Sequence, residues 1–148
     1  PDRDGHRHTH RAHVRHAVEA AAVPWPAVAV AAGVSLPAVH GLLVGRAGRP
    51  QTRIEPRVAG RLLRVGAGDL IAMRSLRVPA ARTGARLRNL LAAGVDPLWV
   101  ARWCQIGLNE LTLLVEGEAT SCTQLTETLG LAAQRLRQTD ACWPPLAA

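Results

Sequence analysis

Five histidines fall within the first sixteen residues: His6, His8, His10, His13 and His16. His6 with His10, and His13 with His16, have the spacing that puts two imidazoles on one helix face, as a metal site requires. No acid or cysteine joins them, so they read as a basic arm ahead of the first core position, and no metal is expected. Cys104, Cys122 and Cys142 form no CxxC pair, leave an odd count and have no histidine near them in sequence. That pattern fits a reducing cytoplasm and gives neither a disulfide framework nor a zinc site. The chain has no P-loop, no Cys/His pair close in sequence and no Ser-His-acid arrangement on recognisable elements. It reads as a non-enzyme, with no cofactor and no small-molecule substrate.

What remains is cationic chemistry. All 18 basic side chains are arginine, a bias that a GC-rich genome explains without any chemistry. Their placement carries the signal. Residues 1–88 hold 15 arginines against 5 acids, a balance of +10, and residues 89–148 hold 3 against 6, a balance of −3. Such a sign change points to a polyanion facing only the first half. Arg46, Arg49 and Arg53 crowd the stretch GRAGRPQTR, whose Gly-Arg-Pro string is like that of AT-hook segments. A loop of this kind follows a duplex backbone or enters a narrow A·T-rich minor groove. Two stripes add to it: Arg57, Arg61 and Arg64 opposite Ile54, Val58, Leu62 and Val65, and Arg7, Arg11 and Arg15 opposite Val14 and Val18. Either lines phosphates or is the wet face of its helix.

The elements that position these side chains follow from composition and pattern. With 148 residues, apolar positions dominated by Ala, Val and Leu, four Trp and no Phe or Tyr, the chain is expected to be all-α. Ala20–Gly45 carries no charged residue, but Pro24, Pro26, Gly33 and Pro37 interrupt it and its hydropathy is modest, which argues against a membrane span or a signal peptide. Pro1 stands where Met is expected, which leaves room for a start further upstream.

A shift of 72 residues lays VPWPAVAVAAGVSLPAVHGLLVG (Val23–Gly45) on VDPLWVARWCQIGLNELTLLVEG (Val95–Gly117). Val28 meets Val100, Ala29 meets Ala101, Val39 meets Leu111, Leu42 meets Leu114, and upstream Val18 meets Leu90 and Ala21 meets Ala93. Each copy reads as helix, break, helix, tight turn, helix. The first opens with a helix over about residues 8–22, has Pro26 in the first turn of its second helix, Gly33 at the turn and Ser35 as cap of the third. A fourth helix covers about Glu55–Val65. Gly66–Pro79 reads as a linker, Thr83 as the cap of the next helix, Asp96-Pro97 as a cap-then-proline start, and Thr123–Arg137 as the last helix. The expected organisation is a helix-turn-helix DNA-binding unit with its basic loop at 1–67, a linker at 68–79 and a second, degenerate helix-turn-helix unit at 80–148.

Ala29 and Gly33 occupy the small and turn positions of a helix-turn-helix, with Val28, Val34, Val39 and Leu42 as the wedge between helices. The string AGVSLPAVHGLLVGRAGRP followed by RIEPRVAGRLLRV resembles Cro/repressor-type proteins of actinobacteria and their phages, in particular those with two such units in tandem. The likeness runs from His13 to about Trp143 and is most specific over Gly33–Val65; in the second copy Gln105 stands where the turn glycine belongs. The resemblance implies a helical, cofactor-free protein that binds double-stranded DNA as a sequence-specific transcriptional regulator, a repressor in the bacterial cytoplasm and associated with the nucleoid. Ser35–Leu43 would enter the major groove, with Ser35 and the helix N-terminus on a phosphate, Leu36 or Pro37 against a thymine methyl, and His40 as the one base-edge donor. The second copy has acids in LNELTLLVE and EGEATS. It is expected to serve a homodimer or a protein partner through a surface drawn from Trp99, Trp103, Leu113, Leu114 and Val115, about half of which must be ordinary core. A protein-binding adaptor for a polymerase or toxin, and a phage packaging or recombination accessory protein, are the alternatives.

Overall fold

The computed structural model describes residues 3–44 and 54–139, with residues 3–9 and 44 by backbone alone. The chain divides into two compact units between Ala72 and Met73. The first holds α1 (Arg3–Ala21), α2 (Trp25–Ala32), α3 (Leu36–Val44), α4 (Pro56–Arg64) and the start of α5 (Ala67–Ser75). The second holds β1 (Arg77–Pro79), α6 (Ala81–Ala92), α7 (Pro97–Cys104), α8 (Leu108–Val115), β2 (Ser121–Thr123) and α9 (Gln124–Thr139). The protein is all-α; among the described residues it carries one two-stranded antiparallel ribbon, in which Val78 faces Cys122.

Around its two turns the 72-residue repeat shares its backbone hydrogen bonds. Ala22 and Gly94 both have positive φ, and so do Gly33 and Gln105. Val23 N–H donates to the Val18 carbonyl as Val95 donates to Leu90. Val34 donates to Ala29 as Ile106 donates to Ala101, and Val39 to Ser35 as Leu111 to Gly107. Helices α1, α2, α6 and α7 thus each end in a left-handed residue whose neighbours satisfy the last free carbonyls of the helix behind it. Val14, Val28, Val39 and Leu62 are wholly buried in the first unit, and Leu87, Val100, Leu114 and Leu129 in the second.

Upstream of the first turn the register slips. In α1 the buried aliphatic positions are Val14, Ala17 and Ala21, with Val18 only half-buried, whereas in α6 they are Leu87 and Leu90, and Ala93 is exposed. A Cβ on Gly84 would run into the Leu114 carbonyl of α8, so this glycine lets two helix backbones touch. Its counterpart at 72 residues' distance, Ala12, is exposed. The close approach at Gly84 sets the rotation of α6, and α1 has no equivalent.

The expected linker is not irregular. Asp69 at the third position of α5 accepts a hydrogen bond from Gly66 N–H at 3.0 Å, the reach-back half of a capping box, and holds a helix where Gly66 and Gly68 suggested a break. Val78 precedes a proline and is therefore biased to extended backbone, so residues 77–79 join the second unit as a strand. Thr83 does not cap α6: it lies inside the helix and is buried, and the preceding Ala80 makes no side-chain cap. The other starts follow expectation. Pro26 stands in the first turn of α2, and the Asp96 carboxylate accepts from Leu98 N–H at 3.1 Å with Pro97 behind it. Among the described residues no helix is long and apolar enough to cross a membrane.

Two glycine substitutions are expected to move stability in opposite directions. Gly84→Ala should cost the second unit about 1–3 kcal/mol, because the α8 backbone must give way. Gly60→Ala, in a helix interior with open space around it, should add about 0.5–1 kcal/mol by restricting the unfolded chain. Urea unfolding of both variants checks this; a neutral Gly84→Ala would contradict the close crossing.

Candidate nucleic-acid interface

The residues of α3 are held by the turn before it. Gly33, at φ 70°, ends α2, a conformation that a β-carbon resists. Ser35 Oγ then accepts from Ala38 N–H at 3.2 Å, an N-cap on α3. Ser35, Pro37 and His40 are exposed, while Val39, Gly41 and Leu42 are buried. The His40 ring leans on Trp25, with centroids 5.7 Å apart and a tilt of 50°, so the indole steadies the imidazole on the outer face. Trp25 escaped the sequence reading, since its partner lies a whole helix and turn away.

Leu36 is a correction. It is only 6% exposed and belongs to the core, so it does not reach a thymine methyl; the first position of α3 faces inward because the helix turns back over α2. Pro37 is the apolar side chain left on the outer face.

Arginines flank α3 at both ends. At its start, Arg61 Nη1 donates to the Gly33 carbonyl at 2.9 Å. At its end, Arg11 Nε donates to the Leu42 carbonyl at 2.9 Å and Arg15 Nη2 to the Leu43 carbonyl at 3.3 Å. These contacts satisfy carbonyls that helix geometry leaves unpaired and put cations at the negative end of the dipole. A guanidinium has five N–H donors, so one bond to a carbonyl leaves others for an external anion. Arg57 and Arg64 are exposed on α4 beside Arg61. Arg46, Arg49 and Arg53 lie outside the described residues, as do the side chains of Arg7, His6 and His8. Of the other histidines, His10 is buried and His13 Nε2 donates to the Val65 carbonyl at 2.8 Å. They belong to the packing of α1, not to a loose arm.

The charge contrast between halves does not follow the units. Cut at the real boundary, residues 1–72 hold ten arginines against five acids and residues 73–148 eight against six, or +5 and +2. The earlier division at residue 88 fell inside α6 and assigned that unit's arginines to its neighbour. The contrast persists locally. Glu110 stands in the first turn of α8, where α3 has no acid, and Glu116 and Glu118 are exposed just beyond it. Arg88 Nε donates to the Val115 carbonyl at 2.9 Å, so the arginine cap at the end of the third helix recurs.

The contact candidates of the second unit divide between core and surface. Leu114 is buried, Val115, Trp99 and Trp103 are half-buried, and the Trp103 indole donates to the Leu129 carbonyl at 2.8 Å. Leu113 is 44% exposed, with Leu98 at 52% and Leu108 at 48%. Their counterparts 72 residues earlier, Gly41, Pro26 and Leu36, are all buried. Leu98 and Leu108 were missed because helical spacing alone assigns them to a covered face.

Burial, with a smaller contribution from Cys122, pushes the Cys104 thiol up to about 12, and burial raises Cys122 as well. Both stay protonated and unreactive at neutral pH. Cys142 lies outside the described residues. Among the described residues no three His, Cys, Asp or Glu side chains gather as a metal site would need. No family model, curated protein or solved structure matches the chain.

Two stability measurements test this geometry. Ser35→Ala should lower stability by about 1 kcal/mol, while Ser35→Asp, which keeps the cap, should stay near wild type; equal losses would refute the cap. Below pH 9 the folded and unfolded Cys104 thiols are both protonated and its contribution is whole. As pH rises from 9 towards 12 only the unfolded thiol ionises, so stability should fall by up to about 1.4 kcal/mol per pH unit. Cys104→Ala should flatten that alkaline slope in denaturant titrations, and an unaltered slope would contradict the assignment.

Proposed function

We propose that the chain is a sequence-specific regulator of transcription that binds double-stranded DNA through its first unit, a helix-turn-helix repressor of bacterial or phage origin acting on the nucleoid in the cytoplasm. One observation carries this reading: an uncharged, outward-facing helix, α3, has guanidinium groups at both ends, Arg61 by its first turn and Arg11 and Arg15 by its last. A helix laid in the major groove meets phosphates in that arrangement, cations beside both strands and bases in between.

In this reading His40 donates to a base edge, Pro37 packs against a thymine methyl, and Ser35 with the α3 N-terminus meets a phosphate. Arg57 and Arg61 follow the backbone, and Arg46, Arg49 and Arg53 supply the loop contacts to backbone or minor groove. The second unit, with Glu110 where a phosphate would approach, is left to a protein partner or a second copy, through Leu98, Leu108 and Leu113. That same set favours a second reading, an adaptor that binds only protein.

Retardation of random duplex DNA at low and moderate salt separates the two. The regulator should bind at low salt, with affinity falling steeply as salt rises. Arg46→Ala with Arg49→Ala should weaken binding to every sequence and reduce the log–log salt slope by about 0.9 per phosphate contact removed. Ser35→Asp should keep the fold and lose binding, because it puts an anion where a phosphate belongs. His40→Ala should change the sequences selected from a random pool and leave the slope alone. No retardation at low salt would leave the adaptor standing.

A further inference from the structure

The second unit has a groove of about 300 Å³ between α6 and α9, lined by Arg86, Asn89, Leu90, Gln134, Arg137 and Gln138. Two guanidinium groups from different helices share it with three carboxamides, and no carboxylate is among its lining residues. Arg137 Nη1 is out of contact with solvent and has no hydrogen-bond acceptor among the described residues. A buried donor on a charged group without an acceptor is costly, and two like charges on one groove add to that cost. An anion in the groove meets the accessible donors of both guanidinium groups and offsets their mutual repulsion.

We propose that this groove binds the phosphate of a small phosphate monoester or inorganic phosphate. The donor set chooses among anions. A carboxylate has two oxygens in one plane and is satisfied by a single guanidinium fork. A terminal phosphate has three oxygens arranged as a tripod, enough for two forks from opposite walls and for carboxamide N–H groups between them. Its charge of about −1.5 to −2 at neutral pH suits two arginines, whereas a backbone phosphodiester has one charge and two free oxygens. The carboxamides add acceptors for the hydroxyl groups of an attached ester. Every residue involved belongs to the second unit, so the proposal stands apart from duplex binding by the first.

Titration of the intact chain with inorganic phosphate, phenyl phosphate, dimethyl phosphate and acetate, followed by calorimetry, tests it. Phosphate and phenyl phosphate should bind saturably at one site, with the diester and acetate at least about tenfold weaker. Arg86→Gln and Arg137→Gln should each weaken phosphate by about tenfold or more, and Arg137→Lys, which keeps charge but not the fork, should recover only part. Thermal melts show which variants fold, and the wild-type titration is decisive even if neither does. Absence of saturable phosphate binding, equal affinity for acetate, or binding unchanged in both folded glutamine variants overturns the proposal. So does loss of duplex retardation in those variants without phosphate binding to wild type, which would make the groove a track for DNA backbone.

Discussion

A single left-handed residue between two short helices governs the geometry of each unit. Gly33, at φ 70°, turns the chain so that Val34 N–H reaches back to Ala29 and Ser35 begins α3. The carbonyl of that same glycine receives Arg61. Remove the reversal and α3 loses its cap, its arginine at the leading end and its outward face together. The second unit makes the same turn without glycine, Gln105 adopting φ 57°, while at the preceding turn the roles exchange, with Ala22 left-handed and Gly94 its counterpart. A side chain in that region costs about 1 kcal/mol. Both units tolerate the cost once, which shows the conformation to be imposed by the packed helices around it and not only by glycine.

Three arginines of the first unit serve inside the molecule. Arg11, Arg15 and Arg61 each hold a backbone carbonyl that helix geometry leaves open. Such anchoring restricts long side chains that would otherwise lose rotamer freedom on meeting a ligand. It also means that truncating one removes a structural contact as well as a charge. That is why Ser35→Asp, which acts by charge and keeps its hydrogen bond, discriminates better than an arginine deletion.

Much of the fold was legible. The 72-residue shift anticipated turns that coincide bond for bond, because left-handed residues and the apolar wedge Val28, Val34, Val39 and Leu42 leave clear marks. Four things were not. Helix α5 and strand β1 were hidden behind glycines and a proline, since the Asp69 contact and strand pairing are decided by neighbours rather than local propensity. The rotation of α6 depends on one glycine touching a distant carbonyl. At the candidate site, Leu36 and Leu108 are the same residue type at equivalent positions, yet one is buried and the other exposed. Periodicity identifies a helix; it does not say how wide a stripe its neighbours will cover. The arginine stripes were visible, but the carbonyls that receive Arg11, Arg15 and Arg61 lie 28 to 31 residues away, beyond any local pattern.

The two units have kept a backbone and parted in surface: one third helix is uncharged with arginine at both ends, the other has Glu110 in its first turn and leucines on its face. The most direct measurement of that division is residue-by-residue amide chemical shift as short duplex DNA is added to the intact chain. Duplex recognition by the first unit requires the largest changes at Ser35, Ala38 and His40 and along the Arg57–Arg61 face, with the Leu108–Val115 helix undisturbed. Shifts concentrated on Leu108–Val115, or none on Ser35–His40 at saturating duplex, would contradict it.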